Sequence, residues 1–407
     1  MTGPVAPVSV APVSVAPAVR PRIPAARFGG RLARAQAGVV ERGLRAMLVS
    51  VGPDLVYLAG YEAMPLERLT MLVVPASGRA TLLVPRLEAA PARACPGVAS
   101  GHLDLETWEE TEDPVDRVAH LVGGFGSAFA GRATPDRLAV SDRLWAHHLL
   151  RLQAVLPGSA FVSASLVLRD LRIVKDADEI ELLRRAAEAA DRVIWEIAHG
   201  RLVGRSEADV AREVRDRLLA EGHDRADFAI VGSGPNSASP HHEASDRIIG
   251  AGEPIVLDIG GPYGGYGSDT TRTIWVTGGD ATRGPDDEFL RLYAVLRAAQ
   301  AEATHAVCPG VACERIDLVA RELISASGHG AHFFHRTGHG IGLEGHEDPY
   351  LVAGNAEPLR RGMAFSVEPG IYLAGRYGAR IEDIVICGED GPIVLNQLDR
   401  DLLVVTG

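Results

Sequence analysis

The sequence has no run approaching the roughly 18 uninterrupted apolar residues of a membrane-spanning helix, so no membrane span is expected. Cysteine is scarce: only Cys95, Cys308, Cys313 and Cys387. They make no CxxC pair and no zinc-ribbon spacing, and Cys308 and Cys313 have no His nearby at finger spacing. Buried, reduced thiols in a cytoplasmic protein are the expectation. Basic charge is in deficit, with 41 Lys+Arg against 53 Asp+Glu and a net charge of −12. That argues against a nucleic-acid partner, and the acidic excess leaves carboxylates to commit to metal. The opening MTGPVAPVSVAPVSVAPAVR lacks the charged first region of a signal peptide, and its prolines break any continuous apolar helix. A disordered Pro/Ala/Val-rich tail is expected over residues 1–27.

What is present fits a soluble two-domain chain: 407 residues, 46% hydrophobic and 23% charged. FGGRLARAQAGVVERG, from Phe28 to Gly43, reads as an amphipathic helix closed by Gly43. AMLVS (Ala46 to Ser50) reads as a buried strand, and VYLAG (Val56 to Gly60) as a second after a GPD turn. LTMLVVP and RATLLVP, split by Ala76-Ser77-Gly78, read as a hairpin. Strands and helices alternate to about Ser165, which predicts a smaller α/β domain over 28–168. From about Asp176 a long helix is expected, with Glu179, Ile180, Leu183 and Ala187 in a 3.6-residue period. Beyond it lie Gly-rich β runs with helices over 207–221, 286–306 and 313–327. Irregular mixing of that kind predicts an α+β domain over 169–407.

Acidic residues recur in the apolar runs of that second half. Asp258 lies within PIVLDIG, and Asp269 opens the following strand after a Gly-rich connection from Gly260 to Gly267. An antiparallel return would set the two carboxylates side by side, which requires a cation or a shared proton. Glu368 lies in AFSVEPG, Glu382 in ARIEDIVIC, and His339 between glycines in RTGHGIG. Singly, each is more often an ordinary salt-bridge or turn residue. Together they are several buried acids with few basic neighbours, and Arg380 can pair with only one of them. Four carboxylates and an imidazole suit divalent ions such as Mn²⁺ or Co²⁺. A water bridging two such ions would have a lowered pKa and could attack a carbonyl.

VLDIGGPYGGYGSDTTRT, HRTGHGIGLEGHEDP, SVEPGIYL and GARIEDIV, preceded by SGPNSASPHH, occur in order over about 150 residues. In these segments the chain resembles the Xaa-Pro aminopeptidase and Xaa-Pro dipeptidase (prolidase) group of pita-bread metallopeptidases. GLRAMLVSVGPDLVYLAGY resembles the start of the group's creatinase-like N-terminal domain. The resemblance implies a C-terminal pita-bread, creatinase/aminopeptidase-like domain preceded by that smaller domain. It also implies a dinuclear hydrolase cleaving before proline, with two divalent ions (Mn first, with Co, Zn or Fe as alternatives). By the resemblance Asp258 chelates one ion, Asp269 and Glu382 bridge both, and His339 and Glu368 complete the shells. His241, 17 residues before Asp258, and His346, seven after His339, fall at catalytic positions along with Glu368. His241 is preferred over the adjacent His242 on spacing. His335, Tyr372 and Arg380 fall at substrate-binding positions. A proline-containing di- or oligopeptide substrate and a homodimer are implied, and the choice between dipeptidase and aminopeptidase stays open. Two other readings are a divergent metal enzyme on the fold, such as a small sulfonium lyase, and a non-catalytic binding relative. The intact ligand set argues against creatinase and against the binding relative.

Overall fold

Five-residue strands, apolar at the centre of the sheet, build the first sheet of the computed structural model, which describes residues 22–124 and 136–407. Strands β1 (Ala46–Ser50), β2 (Met71–Pro75), β3 (Thr81–Pro85), β4 (Asp104–Trp108), β5 (Asp136–Val140) and β6 (Ser159–Ser163) lie in the order β4-β3-β2-β1-β5-β6. β1, β2 and β3 are buried along their whole length. Alternate residues feed two apolar clusters: Met47 and Val49 face one, Ala46 and Leu48 the other. Covering both faces is what lets these strands read as continuous apolar runs.

Two local expectations are corrected here. Val56 to Gly60 is not a strand, because Pro53–Ala59 forms a helix. Pro53 stands in its first turn with Asp54, and Gly60 closes it at φ 66°. The first helix runs Ala25–Glu41, so residues 25–27 of the expected tail are helical, and Ile23 packs on a core cluster. The remainder of the expected tail, residues 1–21, lies outside the described residues.

The helix Ala177–Ala198 opens on a capping box between Asp176 and Glu179. After it come β7 (Phe228–Ser233), β8 (Glu253–Tyr263), β9 (Tyr266–Val276), β10 (Gly338–Gly340), β11 (Glu347–Leu351), β12 (Ala364–Val367), β13 (Gly370–Leu373), β14 (Tyr377–Arg380), β15 (Asp383–Cys387), β16 (Pro392–Val394) and β17 (Leu403–Val405). They form sheets β17-β9-β8-β7 and β11-β10-β12-β15-β16 and the hairpin β13-β14. Helices Glu207–Ala220, Asp287–His305 and Cys313–Ala326 pack on them. The fold is α+β, with an α/β region preceding the larger one.

The β8–β9 connection is shorter than the sequence suggests. Only Gly264 (φ 60°) and Gly265 (φ 90°) turn, and both positive angles suit a two-residue hairpin loop. Asp269 therefore sits inside β9 instead of opening it. Cys95, Cys313 and Cys387 are buried, whereas Cys308 is exposed, against the expectation of buried thiols throughout. Among the described residues no helix is long and apolar enough to cross a membrane.

Candidate metal centre and its surroundings

The hairpin sets the first two acids. Asp258 faces Thr271 and Asp269 faces Gly260, so the carboxylates are diagonal neighbours on one face of the sheet. Glu382, between β14 and β15, is drawn to the same face: its N–H donates to Thr271 O (3.1 Å), and its Oε2 accepts from Thr271 Oγ1 (2.7 Å). Glu368 ends β12, with its N–H donating to Thr337 O (2.8 Å). His339 is the middle residue of β10. A Cβ at Gly338 would stand 1.9 Å from Ser366 O, and one at Gly340 2.1 Å from Asp348 O, so only glycine admits strands this close. Ser366 Oγ ties two of these residues, accepting from His339 N–H and donating to Glu368 Oε1, both at 3.0 Å.

Ligand-type atoms gather in three overlapping groups, each within 4.8 Å: Asp258, Asp269 and Glu382; His339, Glu368 and Glu382; Asp269, His339 and His346. Among the described residues the guanidinium paired with one of these carboxylates is that of Arg380, whose Nη2 donates to Asp258 Oδ2 (2.5 Å). Asp258 Oδ1 and Glu382 Oε1 are buried without a hydrogen-bond partner. Burial, reinforced by the neighbouring acids, pushes the carboxyls of Asp269 and Glu382 well above their usual range. Burial would raise Glu368 too, but the His339 hydrogen bond and charge outweigh it and bring Glu368 down to about 2. His339 Nε2 lies 3.1 Å from Glu368 Oε1 and 3.5 Å from Asp269 Oδ2. Its Nδ1 lies 3.2 Å from Gly340 O; with a proton kept there, a cation displacing the Nε2 proton that the acids share would meet the Nε2 lone pair. Orphaned buried carboxylate oxygens, one imidazole lone pair and excess negative charge are a donor set that fits divalent cations.

The other singled-out residues surround this cluster. Tyr372 Oη accepts from Arg380 Nη1 and lies 2.9 Å from His335 Nε2, as it does from Arg380. His335 Nδ1 sits 2.8 Å from Arg336 O, so a proton there makes Tyr372 the donor to Nε2. Burial lowers His335 and raises Tyr372 to about 12, keeping both neutral. His346 lies against His339, the rings tilted by 40° with centroids 3.8 Å apart, and Arg336 Nη2 donates to its Nδ1 (3.2 Å). Burial, then the charges of His339 and Arg336, lowers His346 to about 4. His241 is exposed at the rim, close enough to act electrostatically on His335 and His346. His242 turns the other way, its Nε2 lying 2.7 Å from Glu207 Oε2.

Residues 181–389 match metallopeptidase family M24, and residues 31–174 match the creatinase/prolidase N-terminal domain. The chain belongs to family M24. It is 44% identical to a probable dipeptidase PepE of Mycobacterium tuberculosis over 385 residues, 94% of this chain and 98% of the relative. An Xaa-Pro dipeptidase of Pyrococcus horikoshii is 32% identical over 89% of this chain and 95% of its own length. The crystal structure of a prolidase from Thermococcus sibiricus superposes with TM-score 0.84 at 34% identity, covering 93% of this chain and 99% of that one. The protein is a metallopeptidase with the pita-bread fold.

Sequence reading of this M24 chain missed Glu207. Wholly buried, it accepts from Ser233 N–H and Oγ, Asn236 Nδ2, Ser245 N–H and Oγ, and His242, and so holds the loop that presents His241. Burial opposes its ionisation, yet those donors bring it down to about 2. Its one sequence signal was Ser206 at the helix N-cap beside it, which says nothing of partners about 30 residues on. Thr271 and Ser366 were missed likewise, since a hydroxyl in a strand carries no mark of its partner.

Proposed function

We propose that this metallopeptidase hydrolyses Xaa-Pro dipeptides at the bond before proline. The observation that carries the reading is the buried set Asp258, Asp269, His339, Glu368 and Glu382 with two orphaned carboxylate oxygens, ringed by His241, His335 and His346. Those five residues would hold two divalent ions, manganese first by donor chemistry. Bound there, the ions would supply Lewis acidity toward a water and the scissile carbonyl.

The chain's own groups do the rest. Glu368, held ionised, takes the proton of the attacking water and passes it toward the proline nitrogen. With Nδ1 accepting from Arg336, His346 carries its proton on Nε2 and donates to the carbonyl oxygen as charge develops. Tyr372 and His335 offer tilted ring faces 5.5 Å apart for the pyrrolidine ring, with the exposed Phe334 beside Tyr372. Arg380 fixes Tyr372 and Asp258 together. Arg336 stacks on Tyr350 and, among the described residues, has no carboxylate partner. It stands one imidazole beyond the ligand cluster, where a dipeptide's own carboxylate reaches, about one residue (~3.5 Å) past the scissile bond. The names of the relatives, dipeptidase and Xaa-Pro dipeptidase, support the same substrate.

The test is hydrolysis of an Xaa-Pro dipeptide, its C-terminal amide and an Xaa-Pro-Yaa tripeptide, by metal-stripped protein and by protein reloaded with Mn²⁺ or Co²⁺. Metal-dependent cleavage with the free dipeptide preferred is expected. Equal rates on dipeptide and amide would remove Arg336 from recognition, and no cleavage by metal-loaded protein would overturn the reading.

A further inference from the structure

The turn that carries His346 is held mainly from outside its own sheet. Gly342 to His346 closes on a backbone bond from Gly342 N–H to Glu344 O (3.1 Å), and His346 itself is exposed. Its flanking acids are not. Glu347 accepts from Lys175 Nζ (2.6 Å) and Arg172 Nη2 (2.5 Å), and Glu344 accepts from the same Arg172 Nη2 (2.6 Å) and from Arg143. Arg172 is in turn fixed by Asp54 Oδ1 at 2.8 Å. Lys175 and Glu347 are 1% and 8% exposed, so this pair is little screened by solvent. Asp54, Arg143 and Arg172 belong to the amino-terminal region or its closing helix Ser165–Arg172, whereas Glu344 and Glu347 belong to the metallopeptidase domain.

We infer that Arg172 and Lys175 are positioning residues for His346, so that the amino-terminal region sets the geometry of the reacting site through charge pairs on Glu344 and Glu347. The inference rests on His346 acting at the metal centre. One guanidinium spans both acids that bracket the imidazole, so losing it frees the turn at two points while leaving every proposed metal ligand in place. An imidazole displaced by about 1 Å can no longer donate along the line its partner requires, which costs rate more than substrate affinity.

The experiment pairs amide hydrogen exchange of the metal-free protein with kinetics of the manganese-loaded enzyme, in Arg172→Gln and Arg172→Lys. Arg143→Gln, altering an exposed side chain, is the variant that keeps the test alive if Arg172→Gln does not fold. In Arg172→Gln, exchange over 342–347, which includes the hydrogen-bonded Gly342 amide, is expected to rise about tenfold while the β8–β9 hairpin is unchanged. Metal content should stay at the wild-type value, and kcat should fall by about tenfold or more with KM within about threefold. Arg172→Lys, keeping the charge, should recover part of kcat, and Arg143→Gln should show a smaller loosening of the same segment. Unchanged exchange over 342–347 would overturn the inference. So would loosening spread evenly over the C-terminal sheets, or a loosened turn with full kcat. Local loosening in a protein whose wild type cleaves no Xaa-Pro substrate would leave the clamp standing and remove the proposed function instead.

Discussion

Two clusters of buried charge lie on opposite faces of the β8–β9 hairpin, and they are built on opposite terms. On one face are Asp258, Asp269 and Glu382, with a single guanidinium among them and two carboxylate oxygens left without partners. On the other, Arg272 donates to Asp383 Oδ1 (2.7 Å) and Glu382 O (2.6 Å), and Asp383 Oδ2 accepts from Gln300 (2.9 Å) and Arg400 (2.6 Å). Nearby Asp191 is likewise satisfied by Asn396 and the Gln397 and Leu398 amides. Glu382 and Asp383 are neighbours in sequence yet serve different clusters, because strand alternation sends them apart. The closed cluster is complete as protein and acts as framework. The open one holds buried acids in excess of their basic partners, and that asymmetry is the ground for placing the proposed metal site on this face.

The sharpest way to break this comparison is to delete each neighbour. Glu382→Ala should lose far more turnover than the roughly 100-fold typical of a lost supporting group around a metal. Its metal-free form should unfold at no lower denaturant concentration than the wild type, since a like charge has been removed. Asp383→Ala leaves Arg272 buried and uncompensated, and should cost about 3–5 kcal/mol in urea unfolding. Equal destabilisation of the two metal-free variants would erase the distinction. A third measurement uses the metal itself: Mn²⁺ at a hundredfold excess over its Kd should stabilise the wild type by about 2.7 kcal/mol for each ion bound, and Glu382→Ala by much less.

The smallest effect concerns Glu207, a buried acid of the closed kind. Its carboxyl is held down at about 2, so its stabilisation is present above the ordinary carboxylate value and is lost as pH falls through about 2. Glu207→Gln should therefore be less stable than wild type by about 1–2 kcal/mol at neutral pH, the two converging as pH drops from about 4 to 2. A constant gap across that window would show that charge at Glu207 is irrelevant.

Where chemistry is periodic and local, the sequence was legible. The hairpin acids, the glycine-flanked His339, the long helix from about Asp176 and the helices near 207, 287 and 313 all follow from nearest-neighbour pattern. Val56 to Gly60 misled because five apolar residues suit strand or helix alike, and Pro53 with the αL Gly60 decided for helix. Asp269 was misplaced because glycines read as loop when they form strand in a close-packed hairpin. The partners of Arg172, Glu207 and Arg272 were illegible for a different reason. Each pairing spans tens to hundreds of residues, and nothing in an Arg or Glu announces which distant partner it will meet.

The two-glycine turn bears on the order in which the protein is made. As the chain leaves the ribosome, β8 and β9 can zip together as soon as both have emerged, bringing Asp258 and Asp269 side by side. His339, Glu368 and Glu382 are then still unsynthesised, so an ion arriving early would find two of the five proposed ligands. On that proposal assembly runs from scaffold to centre, with metal capture among the last events of maturation.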